Sequence, residues 1–156
     1  KFIPEQVVTR AIDLFHQGCS KEVKRVALEN SFDGYLNGSS DLLEQVLLNL
    51  LINAKYAYFD SEFAAEDDLN IAIKIYQKAH YVLIEVQDNA GGVPEAILDK
   101  VFDPFFTTQL GQGGSGLGLH IAYSLVTGLL GGRIELHRQE GQGSEFILHL
   151  PLVAPR

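Results

Sequence analysis

A glycine-rich loop, Gly111, Gly113, Gly114, Gly116 and Gly118, runs directly into the apolar stretch Leu119 to Leu130. Glycines at a helix start let backbone N–H groups come close to a phosphate, and the helix dipole favours negative charge there. Some twenty residues upstream, an alternating apolar run ends on an acid, Asp88, with Gly91 and Gly92 close behind. These features suggest a nucleotide site with the acid and first glycine pair at one end and the glycine loop at the other. A third feature lies earlier. Asn49 and Asn53 stand four residues apart in a leucine-rich run. That spacing puts both amides on one edge of a helix, whose interior disfavours asparagine. Two of them in register call for a reason other than packing.

The elements that must position these groups follow from periodicity. Phe2 and Ile3 read as the end of a short strand. Pro4 suits a helix start, Val7, Val8, Ala11, Ile12 and Phe15 have helical spacing, and Gly18 stops it. Val23 to Asn30 reads as a strand, and Tyr35-Leu36 as a short one before the turn Asn37-Gly38. Asp41 is the expected N-cap of the next helix, with Glu44 as its reciprocal partner. Leu42, Leu43, Val46, Leu47, Leu50, Leu51, Ala54 and Ala57 make its apolar face. Residues 61–68 form an acidic connection. Leu69 to Tyr76 and Val82 to Val86 alternate around a turn at Gln77 to His80, an antiparallel hairpin that delivers Asp88 to the sheet end. Pro94 to Lys100 reads as a short helix, Asp103 to Gly114 as a mobile loop and Leu117 to Leu130 as a helix stopped by Gly131-Gly132. Arg133 to Arg138 and Glu145 to Leu150 close the chain as a hairpin around Gly141-Gln142-Gly143. Strands paired in hairpins and segregated from helices predict an α+β fold. The expected form is a two-layer sandwich, its mixed, mostly antiparallel sheet covered on one face by helices. Residues 1–156 contain no repeat or linker and are read as one domain.

Composition narrows the chemistry. Of the 156 residues, 46% are hydrophobic and 21% charged, an ordinary balance for a packed domain. The net charge of −8 argues against non-specific nucleic-acid binding. A single cysteine, Cys19, excludes an internal disulfide. No apolar run spans a bilayer. The chain opens on Lys1 and has no methionine, so it is expected to be part of a longer protein. Gly111-x-Gly113-x-x-Gly116 matches a dinucleotide fingerprint, and Glu135 falls near its ribose-binding acid. The fingerprint needs a strand just before its first glycine, and Asp103-Pro104-Phe105-Phe106-Thr107-Thr108 is not one, so that reading is set aside. A P-loop motif is absent from the sequence.

In order, the motifs resemble the ATP-binding catalytic domain of bacterial sensor histidine kinases, in the GHKL ATPase superfamily with its Bergerat fold. Asn49-Leu50-Leu51-Ile52-Asn53-Ala54 is similar to the asparagine box and Asp88-Asn89-Ala90-Gly91-Gly92 to the first glycine box. Phe102-Asp103-Pro104-Phe105-Phe106-Thr107-Thr108 resembles the phenylalanine box, and Gly114-Ser115-Gly116-Leu117-Gly118-Leu119 the second glycine box. Gly141-x-Gly143-Ser144-x-Phe146 is similar to the closing hairpin. The resemblance covers essentially the whole chain and implies ATP and Mg²⁺ as ligands. It implies that Asp88 accepts a hydrogen bond from the adenine amino group while Gly91 and Gly92 leave room for the purine. It makes Asn53 the Mg²⁺ ligand and Asn49 a contact to phosphate or a metal-bound water. Thr107 and Thr108 then belong to a mobile lid over ATP, and Gly114, Gly116, Leu117 and Gly118 line the phosphates.

Two positions depart from the family pattern. Tyr56 stands where a lysine is frequent, with Lys55 about 100° round the helix. Gln109 replaces another frequent lysine. The family's phosphoacceptor histidine is followed by an acid. The five histidines here are followed by Gln17, Tyr81, Ile121, Arg138 and Leu150. The acceptor is therefore expected on a separate dimerisation and histidine-phosphotransfer domain of the same protein, with a response regulator downstream. This domain is expected to be monomeric and cytoplasmic, without membrane contact of its own, whether or not the parent is anchored. Other functions on the same fold stay open. One is an ATPase switch of the gyrase, mismatch-repair or heat-shock chaperone kind, which carries a glutamate base where this chain has Asn49. Others are a regulator working by protein contact, a serine kinase of anti-sigma type, or a mitochondrial dehydrogenase-kinase relative.

Overall fold

Proline at the first helical position and five apolar residues at helical spacing start the chain as a helix, α1 (Pro4–Gln17), with Val7, Val8, Ala11, Ile12 and Phe15 buried. The structure, a computed structural model, describes residues 1–18, 26–59, 69–89, 118–139 and 143–152. Phe2 and Leu36, each read as part of a short strand, pair with each other in an isolated antiparallel bridge. The strand expected from Val23 is β1 (Ala27–Asn30). Just before it, the Val26 backbone N–H donates to His16 Nε2 at 3.2 Å, tying the strand's approach to the end of α1.

The leucine-rich segment is α2 (Ser40–Phe59). Its start differs from expectation. The Ser39 hydroxyl accepts the Leu42 N–H at 3.3 Å, so Ser39, not Asp41, caps the helix. Asp41 instead sits in the first turn, where the helix dipole favours a carboxylate. Glu44, freed from any capping role, faces Arg10 of α1 at 4.0 Å. Leu43, Val46, Leu47, Leu50, Leu51 and Ala54 are buried as the periodicity requires. The helix contacts α1, α3 (Gly118–Ser124) and β3 (Tyr81–Asp88).

The remaining strands are β2 (Ile71–Lys78), β4 (Arg133–Gln139) and β5 (Gly143–Pro151). They form one sheet in the order β1-β2-β3-β5-β4. Only β1 and β2 run parallel; every other neighbouring pair is antiparallel. The β2–β3 hairpin turns on Ala79-His80, two residues only, with Ala79 at φ 55° and its carbonyl accepting from Gln77 Nε2. The expected turn was wider because no glycine marks the tight one. Ile71, Ile73, Ile75, Val82, Ile84, Val86, Phe146, Leu148 and Leu150 point from one sheet face into a single core shared with the helices. The fold is thus the α+β sandwich with one covered face. Helix α3 is shorter than expected. After Ser124 the chain continues as a π-helical turn, Leu125–Leu129, and the Leu130 N–H bonds back to the Leu125 carbonyl at 2.8 Å. Gly131, at φ 67°, then releases the chain into β4. The expected Pro94 to Lys100 helix and the Asp103 to Gly114 lid lie outside the described residues.

The uncovered face carries charge. Glu85 of β3 sits beside Tyr76 of β2 and Glu145 of β5. Burial and then a hydrogen bond to Glu85 push the Tyr76 hydroxyl up to about 12. Burial, followed by a hydrogen bond to Glu85 and its negative charge, raises the Glu145 carboxyl above its usual value of 4.5. The folded state therefore holds this proton more tightly than the unfolded chain does. Stability must fall as pH rises from the ordinary glutamate value through the raised one. Glu145→Gln should be more stable than the parent at pH 7, with the advantage gone once the pH is below about 4. Urea midpoints at the two pH values check this; an equal advantage at both would rule the acid pair out as its cause.

A second prediction concerns Gly143. Its φ is 113°, and a Cβ there would collide with the Asp88 carbonyl oxygen and crowd Asn89 Cα. Gly143→Ala should cost about 1–3 kcal/mol, the range for a strained backbone conformation, more if the collision does not relax. It should show as a lower urea midpoint at unchanged slope. An unchanged midpoint would mean that β5 does not press on the end of β3.

Candidate nucleotide site

Asp88 is the last residue of β3, whose even-numbered residues Val82, Ile84 and Val86 face the helices. The alternation carries Asp88 to the same side, directly opposite Ile71 in β2, and leaves it only 6% exposed. An acid this buried needs donors, because an ionised carboxylate in an apolar layer is costly unless hydrogen-bonded. The backbone around it is fixed on both flanks. The Asn89 side-chain oxygen accepts the Asn70 N–H at 2.7 Å, and Gly143 packs against the Asp88 carbonyl.

Asn49 and Asn53 are half-buried on α2, one turn apart as the spacing requires. The Asn49 side-chain oxygen accepts a hydrogen bond from Gln45 Nε2 at 3.0 Å. Its Nδ2 is buried and has no hydrogen-bond partner among the described residues. A buried donor without an acceptor costs about 1–3 kcal/mol, which an anionic ligand oxygen would recover on binding. That orphaned amide fits a polyphosphate. Among the described residues, no group of three or more His, Cys, Asp or Glu could hold a metal ion. A cation here would be shared between a neutral amide oxygen, such as that of Asn53, and the ligand's own phosphates. This is how Mg²⁺ is commonly held with nucleotides. The donor set therefore fits Mg-ATP.

Lys55 donates from Nζ to the Gly18 carbonyl at 2.9 Å, at the C-terminal end of α1. Gly118 is the first residue of α3, and His120 is half-buried in its first turn. Glu135, the would-be ribose acid, lies on the uncovered sheet face. It contacts Arg133 at 2.8 Å, His137 at 3.1 Å and His149 at 3.3 Å. The His137 hydrogen bond leads the causes that hold its carboxyl below the usual range. Gly91, Gly92, Thr107, Thr108, Gly114, Gly116 and Leu117 lie outside the described residues, as do Gln109 and the aromatic-proline segment. Gln45 was not among the sequence candidates. Its i, i+4 relation to Asn49 was the available signal.

Residues 38–154 match the sequence profile of the histidine kinase-, DNA gyrase B- and HSP90-like ATPases. The two-component sensor PprA of Pseudomonas aeruginosa is 37% identical over 120 residues, covering 77% of this chain and 13% of its own. The sensor histidine kinase ZraS of Escherichia coli is 32% identical over 147 residues, 94% of this chain and 30% of its own. The chain thus spans less than a third of either relative. The solved catalytic domain of histidine kinase ThkA superposes with a TM-score of 0.80 at 25% identity, covering 99% of this chain and 97% of that one. Profile, relatives and fold agree, and this chain belongs to the histidine kinase-, DNA gyrase B- and HSP90-like ATPase family.

Proposed function

We propose that this chain is the ATP-binding catalytic module of a two-component sensor histidine kinase, binding Mg-ATP and presenting the γ-phosphate to a histidine on a separate helical domain of the same protein. Among the family's activities, one observation carries the kinase reading: residue 49 is an amide, where the ATPase switches place a water-activating carboxylate. Neither acid of α2 replaces it. Asp41 lies in the first turn, and Glu44 is drawn towards Arg10. Without a carboxylate at that position to activate it, water is a poor nucleophile, and a positioned imidazole from another domain competes well for the phosphoryl group.

Bound Mg-ATP supplies the transferable phosphoryl group and the cation that offsets its charge. The chain's own residues bind and orient. Asp88 accepts a hydrogen bond from the adenine amino group and selects against guanine, which presents a carbonyl there. Gly91 and Gly92 leave space for the ring. Asn53 offers its amide oxygen to Mg²⁺, and Asn49 contacts the phosphates. Backbone N–H groups at Gly114, Gly116, Leu117 and Gly118 meet the phosphate oxygens, and Thr107 and Thr108 belong to the lid. The downstream partner in this reading is a response regulator. The module works in the cytoplasm without nucleic acid. Among the described residues, no helix is long and apolar enough to cross a membrane.

The test is transfer itself. The chain is mixed with γ-labelled ATP and the helical domain of its parent protein. Label should appear on that domain in an acid-labile, base-stable form, as phosphohistidine does. Asn49→Ala should slow the transfer at least tenfold, because the phosphate contact is lost. Label released only as inorganic phosphate, at a rate indifferent to the acceptor domain, would instead favour an ATPase switch.

A further inference from the structure

A side-chain amide has two ends with opposite roles, one accepting and one donating. At Asn49 the structure occupies one end and leaves the other. The oxygen is turned towards Gln45 and accepts from its Nε2 at 3.0 Å, one turn earlier on α2. The nitrogen is buried without a partner among the described residues. We infer that Gln45 is a positioning residue. It engages the Asn49 oxygen, so that Asn49 serves Mg-ATP as a hydrogen-bond donor to a phosphate oxygen and not as an oxygen ligand of the cation. The inference rests on the nucleotide reading above and sharpens it, dividing the two asparagines between anion and metal.

The geometry gives each residue a distinct task. Asn53, one turn further on, remains the amide whose oxygen can reach the cation. Asn49 carries no charge that would repel a polyphosphate, and its N–H groups, without a partner among the described residues, complement one. Gln45 is exposed and packs no core, and its hydrogen bond among the described residues is the one to Asn49. Without it the Asn49 amide can rotate, and the donor is aimed only part of the time. Holding a polar group in its bound geometry before the ligand arrives is where such a contact acts.

The experiment uses this chain with three probes: Mg-ATP, metal-free ATP and adenosine. Gln45→Met keeps the side-chain length and removes the donor. It should weaken Mg-ATP roughly three- to tenfold, the range spanned by one net hydrogen bond, and leave adenosine binding unchanged. Made on top of Asn49→Ala, the same substitution should have no further effect, because there is no amide left to orient. Asn49→Asp should weaken ATP with and without Mg²⁺ by more than tenfold, since it replaces a donor to phosphate by a like charge. Adenosine binding in each variant reports that the fold is intact. The inference fails if Gln45→Met binds Mg-ATP as the parent does, if its effect persists without Asn49, or if Asn49→Asp binds Mg-ATP more tightly, as a cation ligand would. A parent chain that binds adenosine but not Mg-ATP would overturn both this inference and the function proposed above. A parent that binds Mg-ATP with Gln45 indifferent would overturn this inference alone.

Discussion

Burying a carboxylate at the end of the central strand constrains much of what surrounds it. Asp88 is 6% exposed, and a carboxyl group buried to that degree needs hydrogen-bond partners held in place around it. Strand β3 pairs along its length with β2 on one flank and β5 on the other, so its end cannot drift. The register puts Asp88 opposite Ile71, and the start of β5 closes over it at a residue that only glycine suits, Gly143. A one-residue slip of β3 would turn Asp88 to the uncovered face and Gln87 into the core. Sheet register therefore decides whether Asp88 reaches the side that the proposed adenine contact requires.

The helix layer meets a matching demand. Helix α2 must bury Leu43, Val46, Leu47, Leu50, Leu51 and Ala54 to hold the sandwich together. On the edge of that face it carries two amides, one with a buried nitrogen that has no hydrogen-bond partner among the described residues. Such a group lowers stability, and its retention in a leucine-rich helix is what a binding function would require. The uncovered sheet face works differently. There Glu135 contacts His137 and His149, and Glu145 shares a hydrogen bond with Glu85, so its electrostatics bear on stability.

Much of this was legible in the sequence because periodicity reports burial directly. The apolar face of α2, helix α1 and both hairpins follow from spacing of 3.6 or 2. Local polar choices were harder to read. Ser39 and Asp41 are both good caps, and only the backbone path decides between them. The tight turn at Ala79 has no glycine to announce it. The π-helical turn after Ser124 is invisible to a helical pattern, which it interrupts without any proline. At the site, Asn49, Asn53 and Asp88 stood out because polar residues in apolar runs are conspicuous. Gln45 did not, since a glutamine on an exposed helix position is ordinary until its partner is seen. The glycine loop and lid candidates lie outside the described residues, so their part in the site rests on the sequence.

The central claim is that the buried acid at the end of β3 reads adenine. Calorimetric titration of the chain with ATP and with GTP, both with Mg²⁺, and of Asp88→Asn with ATP, tests it most directly. A hydrogen bond to a charged acceptor contributes about 1.5–3 kcal/mol. The account predicts that ATP binds, that GTP does not compete, and that Asp88→Asn weakens ATP by roughly ten- to a hundredfold. Equal binding of ATP and GTP, or an Asp88→Asn variant with the parent's ATP affinity, would contradict it.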